Sequence, residues 1–144
     1  MTRYVLDTNI ISNLIKPAPS QSLLDWMGEQ NDDDLFIASL TLAEIQRGIL
    51  EKPPGKKRNA LAAWFAGPEG PQAQFAGRIL PFDERAGLVW ARLLAEGKLA
   101  GRPRSGLDMI IAAVATANDC VVVVKNNERD FAGIESINPT SGGR

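Results

Sequence analysis

Four polar side chains in this sequence each sit beside an apolar run, where the edge of a sheet would gather them. Asp7 follows Tyr4-Val5-Leu6, and Glu44 lies shortly after Leu35-Phe36-Ile37-Ala38. Asp108 precedes Met109-Ile110-Ile111, and Asn127 comes just past Val121-Val122-Val123-Val124. Three carboxylates drawn into one cleft repel one another, so at least one pKa must rise unless a cation shares the site. Mg2+ or Mn2+ relieves that conflict, because hard cations take carboxylate oxygens and keep several waters. Such an ion lowers the pKa of a coordinated water and stabilises charge on a phosphoryl group. The chain contains no histidine, which removes imidazole bases, Ser-His-Asp triads and His-ligated zinc. Hydrolysis on carboxylates and a divalent metal is the economical chemistry that remains.

Each of these residues also has a purely structural use. Asp7 could cap a helix beginning near Asn9. Thr41-Leu42-Ala43-Glu44 has the form of a capping box, which would make Glu44 a backbone acceptor in the first turn of its helix. Asp108 suits the positive end of a helix dipole, and Asn127 suits a turn. Taken singly, these uses compete well; taken together, four such positions at one rim favour a site. Asp130-Phe131 reads as a turn followed by a core anchor and stays outside it.

The elements that must position these groups follow from the apolar pattern. Residues 4–6, 35–39, 78–81, 121–124 and 134–137 read as short strands. Helices are expected from Ile10 to Pro17, after Ser20 as N-cap, from Thr41 to about Lys52, over 56–65, after Asp83 as cap, and from Asp108 onward. Residues 67–71 look like a break or exposed loop, 101–106 like a basic flexible connection, and 139–144 like a frayed tail. Strands alternating with helices predict a three-layer α/β/α fold around a mostly parallel sheet. The valine run at 121–124 is its central strand, buried on both faces. In such sheets ligands bind beyond the carboxyl ends of the strands, where the four polar residues fall.

At 144 residues, with 44% apolar composition, the chain fits one domain spanning 1–144. A net charge of −1 excludes nucleic-acid binding through overall positive charge, so a polyanion would need local basic patches or bound cations. Arg47, one helical turn beyond Glu44, and Arg102 and Arg104, just before Asp108, are candidate phosphate contacts. Lys56-Lys57-Arg58 reads as a solvated face. The single cysteine, Cys120, suits a reducing compartment and a buried apolar role. No targeting or membrane-spanning segment is visible, and a cytoplasmic protein is expected.

Val5-Leu6-Asp7-Thr8-Asn9, Thr41-Leu42-Ala43-Glu44-Ile45-Gln46-Arg47-Gly48 and Leu107-Asp108-Met109-Ile110-Ile111-Ala112-Ala113 resemble, in order and spacing, the motifs of PIN-domain ribonucleases. Asn127-Glu128-Arg129-Asp130-Phe131 and Asn138-Pro139 complete the pattern, which is closest to VapC/FitB-like toxins of type II toxin–antitoxin systems. The resemblance implies a PIN-like fold and endonucleolytic RNA cleavage leaving a 3′-hydroxyl and a 5′-phosphate. It implies Asp7, Glu44 and Asp108 as the metal-site acids, with Thr8 and Asn9 ordering them. Asn127 stands where many relatives carry a fourth acid and others an Asn. Lys125 departs from the Thr or Ser common at its position, within Lys125-Asn126-Asn127. That lysine could neutralise an acid, hold a substrate phosphate, weaken metal binding, or simply reach solvent. The resemblance also implies a homodimer and a cognate VapB-like antitoxin that blocks the cleft. Trp26, Trp64, Phe65 and Phe75 are apolar beyond the obvious need of one small core and hint at an interface.

Other functions stay open at this stage. An aspartyl-phosphate phosphatase would use Asp7 as nucleophile, but it usually needs a second Asp where this chain has Asn9. A receiver domain would need a paired acid cluster near its start. A catalytically weakened PIN domain that binds RNA or protein without turnover is made possible by Lys125.

Overall fold

The computed structural model describes residues 2–125 and 127–140. Five parallel strands form one sheet in the order β3-β2-β1-β4-β5, built from β1 (Tyr4–Leu6), β2 (Leu35–Ala38), β3 (Ile79–Leu80), β4 (Val121–Val123) and β5 (Ser136–Ile137). The first strand therefore lies at the centre. Tyr4 pairs with Leu35 on one side and Val121 on the other. The valine run lies inside the sheet, one place from the centre.

Because side chains alternate across a strand, neighbouring residues feed opposite cores. Val5, Val122 and Val124 pack toward α6 (Glu84–Leu99) and α7 (Gly106–Ala117), with Met109, Ile111, Val114 and Phe131. Leu6, Ile37 and Val123 face the other way, against Ile10 and Ile11 of α1 (Thr8–Leu14), Leu23 and Trp26 of α2 (Gln21–Gly28), and Ile45 and Ile49 of α3 (Ser39–Leu50). Helix α4 (Lys56–Ala66) and the short α5 (Pro71–Gln74) flank that second core. This is the expected three-layer α/β/α arrangement.

Several local expectations need correction. Helix α3 opens at Ser39, directly from Ala38 at the end of β2, and no side chain caps it. With no linker between strand and helix, Thr41 is carried past the cap position and buried, so the proposed capping box does not form. Glu44 accordingly lies in the second turn. The 67–71 segment is more than an exposed break: Gly70 and Pro71 are buried, and Pro71 opens α5. A Cβ at Gly70 would stand 2.4 Å from the carbonyl oxygens of Trp64 and Phe65, so only glycine fits this turn. Pro139, assigned to a frayed tail, is buried; residues 141–144 of that tail lie outside the described residues, as does Asn126. Trp26 is core, and Trp64, Phe65 and Phe75 pack half-buried against the second core. The large apolar side chains most open to solvent are instead Leu50, Leu88 and Leu99. No helix among the described residues is long and apolar enough to cross a membrane.

Candidate active site

The carboxyl end of β1 delivers Asp7, whose backbone N–H still donates to Val123 of β4 at 2.9 Å. Its side chain caps α1 by accepting from the Asn9 N–H at 3.2 Å. Asn127, 120 residues further along the chain, donates its Nδ2 to the same oxygen, Oδ2, at 3.1 Å. Asp7 thus serves both the structural use and the cluster. Only 2% of its surface is exposed, although it carries an ionisable group. Burial raises its pKa above the ordinary 3.8, the hydrogen bonds from Asn127 and Asn9 pull the other way, and the Glu44 charge adds to the rise.

Glu44 reaches this edge from the second turn of α3. Thr8 Oγ1 donates to Glu44 Oε1 at 2.5 Å and lies 3.1 Å from the Thr41 hydroxyl. Thr8 therefore fixes the Glu44 rotamer through its side chain, whereas Asn9 acts through its backbone and leaves its own side chain exposed. On α7, Ser105 is the N-cap and accepts from the Asp108 N–H at 3.2 Å. The capping pattern assigned to Thr41–Glu44 is in fact realised by Ser105-Gly106-Leu107-Asp108. The Asp108 carboxyl is pushed up to about 6 by burial first, then by the charges of Asp7, Asp130 and Glu44, with the Ser105 hydrogen bond opposing.

Asp130 was not among the expected site residues, yet its charge acts on Asp108. It lies three residues beyond Asn127, on the 3-10 turn Glu128–Phe131, whose Phe131 is a buried anchor. The short distance in sequence from Asn127 was the available signal. Arg47 makes an exposed ion pair with Glu51 at 3.4 Å, one turn along α3. Arg104 is a strut: its Nη1 donates to the Leu93 carbonyl at 2.7 Å and lies 3.8 Å from Glu96. Lys125 is half-buried at the end of β4, with its carbonyl held by Asn138 Nδ2 at 2.8 Å.

A divalent ion fits this donor set by type. Asp7, Asp108 and Glu44 offer hard anionic oxygens. Asn127 Oδ1 is buried with no hydrogen-bond partner among the described residues, on the same amide whose Nδ2 holds Asp7. No group of three acidic side chains among the described residues stands ready-made to hold an ion.

Residues 4–136 match the PIN domain family. The chain is 36% identical over 136 residues to the VapC ribonuclease Y4jK of Sinorhizobium fredii, which spans 94% of this chain and 96% of that protein. The toxin FitB of Neisseria gonorrhoeae is 32% identical over 128 residues, 89% of this chain and 91% of its own. The solved structure of FitAB bound to a DNA fragment superposes with a TM-score of 0.85 at 30% identity, over 96% of each chain. This chain belongs to the PIN-domain family. Within that family its similarity to the VapC and FitB proteins runs nearly end to end.

Proposed function

We propose that this protein is a divalent-metal-dependent endoribonuclease, the toxin of a type II toxin–antitoxin pair. The observation that carries the reading is the pairing of Asp7 and Asp108. They lie 101 residues apart in sequence, meet at one sheet edge, and are both held above the ordinary carboxylate range by burial and neighbouring negative charge. Structural carboxylates are normally placed where their charge is relieved; acids kept buried beside other negative charges point to a site that receives a cation. The ribonuclease name of the Sinorhizobium relative supports RNA as substrate.

In this reading Asp7, Asp108 and Glu44 would hold Mg2+ or Mn2+, and Asn127 Oδ1 would be available as a neutral ligand. When bound, the metal supplies a water activated near neutral pH and stabilises charge on the phosphoryl group. The protein supplies the rest. Asn127 Nδ2 and the Asn9 N–H fix the Asp7 carboxylate, Thr8 orients Glu44, and Ser105 sets the first turn of α7 so that Asp108 faces Asp7. These fixed partners keep the acids in place without reorganisation as charge develops on the substrate.

A protein antitoxin is the expected partner, supported by the FitAB relative. A cleft of about 470 Å3, lined by apolar Ile11, Leu14, Met27, Trp64 and Phe75 and by polar Asp32, Glu69, Gln74 and Arg78 among others, offers a mixed seat for such a chain. The homodimer stays part of the proposal. The decisive experiment is cleavage of a structured RNA by purified protein with Mg2+, with Mn2+ and with EDTA, beside Asp7→Asn. Metal-dependent cutting that disappears in the variant is expected. Cutting that survives EDTA or the substitution would refute the metal mechanism, and binding without cutting would leave a PIN domain without turnover.

A further inference from the structure

Beyond the acidic edge lies a second cleft, of about 430 Å3, between the end of α6, the 100–105 loop and the turn after β4. Its lining includes Arg102, Arg104, Ser105, Arg129, Asp130 and Gly133. Two of these residues also belong to the acidic site: Ser105 caps the helix that carries Asp108, and the Asp130 charge acts on Asp108. The cleft and the carboxylate cluster therefore share a wall.

The three arginines divide into two kinds. Arg104 is built in. Its guanidinium is tied to the Leu93 carbonyl and to Glu96, and its stem packs on Gly97, where a Cβ would meet Arg104 Cγ at 3.0 Å. Its far end lies against Gly133, whose φ of +85° also favours glycine. Glu96 is occupied by Arg104 and by Arg92 at 3.3 Å. Arg102 and Arg129 are exposed and make no ion pair among the described residues. Two uncommitted guanidiniums thus line a cleft beside a negative site. Cations so placed suit a phosphate, which a guanidinium can grip with two parallel hydrogen bonds.

We propose that this cleft binds a backbone phosphate of the RNA next to the bond to be cut, with Arg102 and Arg129 as the phosphate ligands and Arg104 as the strut that shapes the cleft. The inference rests on the ribonuclease reading and adds the direction in which the strand leaves the acidic cluster: over the α6–α7 loop, not along α3 past Arg47. It also accounts for how a chain of net charge −1 could hold a polyanion.

The test is binding of a fluorescein-labelled single-stranded RNA to the Asp7→Asn protein, followed by anisotropy across a salt series. In that background, Arg102→Gln with Arg129→Gln should weaken binding about 10-fold at low salt. The pair should also flatten the slope of log affinity against log salt by about 0.7, the value for one single-strand phosphate no longer neutralised. Lys57→Gln, an equal change per site on the exposed face of α4, should leave both unchanged. Equal weakening by Lys57→Gln would reduce the effect to general charge and overturn the cleft. Unchanged RNA binding by the double variant would overturn it as well, and loss of antitoxin binding by that variant would then assign the arginines to the protein partner. The two readings fail separately. Arginine-dependent binding without cleavage by the unmodified protein removes the nuclease and keeps the cleft, whereas cleavage with arginine-independent binding does the reverse.

Discussion

Replacing Asp108 with Asn should make the metal-free protein more stable while removing its activity. The Asp108 carboxyl rises from 3.8 to about 6 in the folded state. Each unit corresponds to about 1.4 kcal/mol, so a shift of about two units sets a ceiling near 3 kcal/mol above neutrality. Asp108 is partly open to solvent, and screening reduces this to about 1–2 kcal/mol. For a chain of this length that is a rise in Tm of about 3–6 °C. The amide keeps the shape and loses the charge, so the gain should be full near pH 8 in EDTA and absent only below pH 3.8, where the acid is protonated both folded and unfolded. Saturating Mg2+ should reverse the order, because only the unmodified site gains binding energy from the ion. RNA cleavage should fall by at least about 100-fold, comparable to losing one preorganised charge-stabilising group. Calorimetric melts at the two pH values, with and without Mg2+, decide the matter. A variant no more stable than the parent near pH 8 in EDTA would show that Asp108 is not under repulsion and would refute the reasoning.

Three further outcomes follow from the same geometry. Because Asp108 binds its proton more tightly folded than unfolded, its contribution to stability is full below pH 3.8 and is lost as pH rises through about 6, and the raised Asp7 acts in the same direction; urea titrations in EDTA should show this decline and Mg2+ should flatten it. Asn127→Asp should add a fourth carboxylate against Asp7, lowering metal-free stability and raising Mg2+ affinity about 10-fold, as read by titration calorimetry. Thr8→Val should cost about 1–2 kcal/mol by leaving Glu44 and Thr41 without their shared hydroxyl, and the cleavage rate should fall with little change in RNA affinity.

The sheet was legible because each interior strand is a short apolar run closed by a polar residue. The valine run is the clearest case, feeding both cores by alternation. The rim position of Asp7, Glu44, Asp108 and Asn127 followed from that. What the sequence concealed were contacts that depend on how elements join. Thr41–Glu44 and Ser105–Asp108 have the same capping form, and only the absence of a linker between β2 and α3 decides that the first goes unused. Asp130 looked like an ordinary turn acid because its effect on Asp108 crosses between distant segments. Arg104 read as a candidate phosphate contact on a flexible loop, whereas its role as a strut depends on two glycines far apart in sequence, Gly97 and Gly133.

The central place of the first strand bears on how the protein comes into being. Tyr4 must wait for Val121 before both edges of β1 are satisfied, and Asp7 for Asn127. Pairings so distant in sequence close late and slowly. A chain emerging from the ribosome would therefore carry Asp7 and Glu44 in an unfinished sheet for most of its synthesis. The proposed nuclease activity, wired this way, is withheld until translation is nearly done, and a transcript cut short ahead of β4 should yield only an inert fragment.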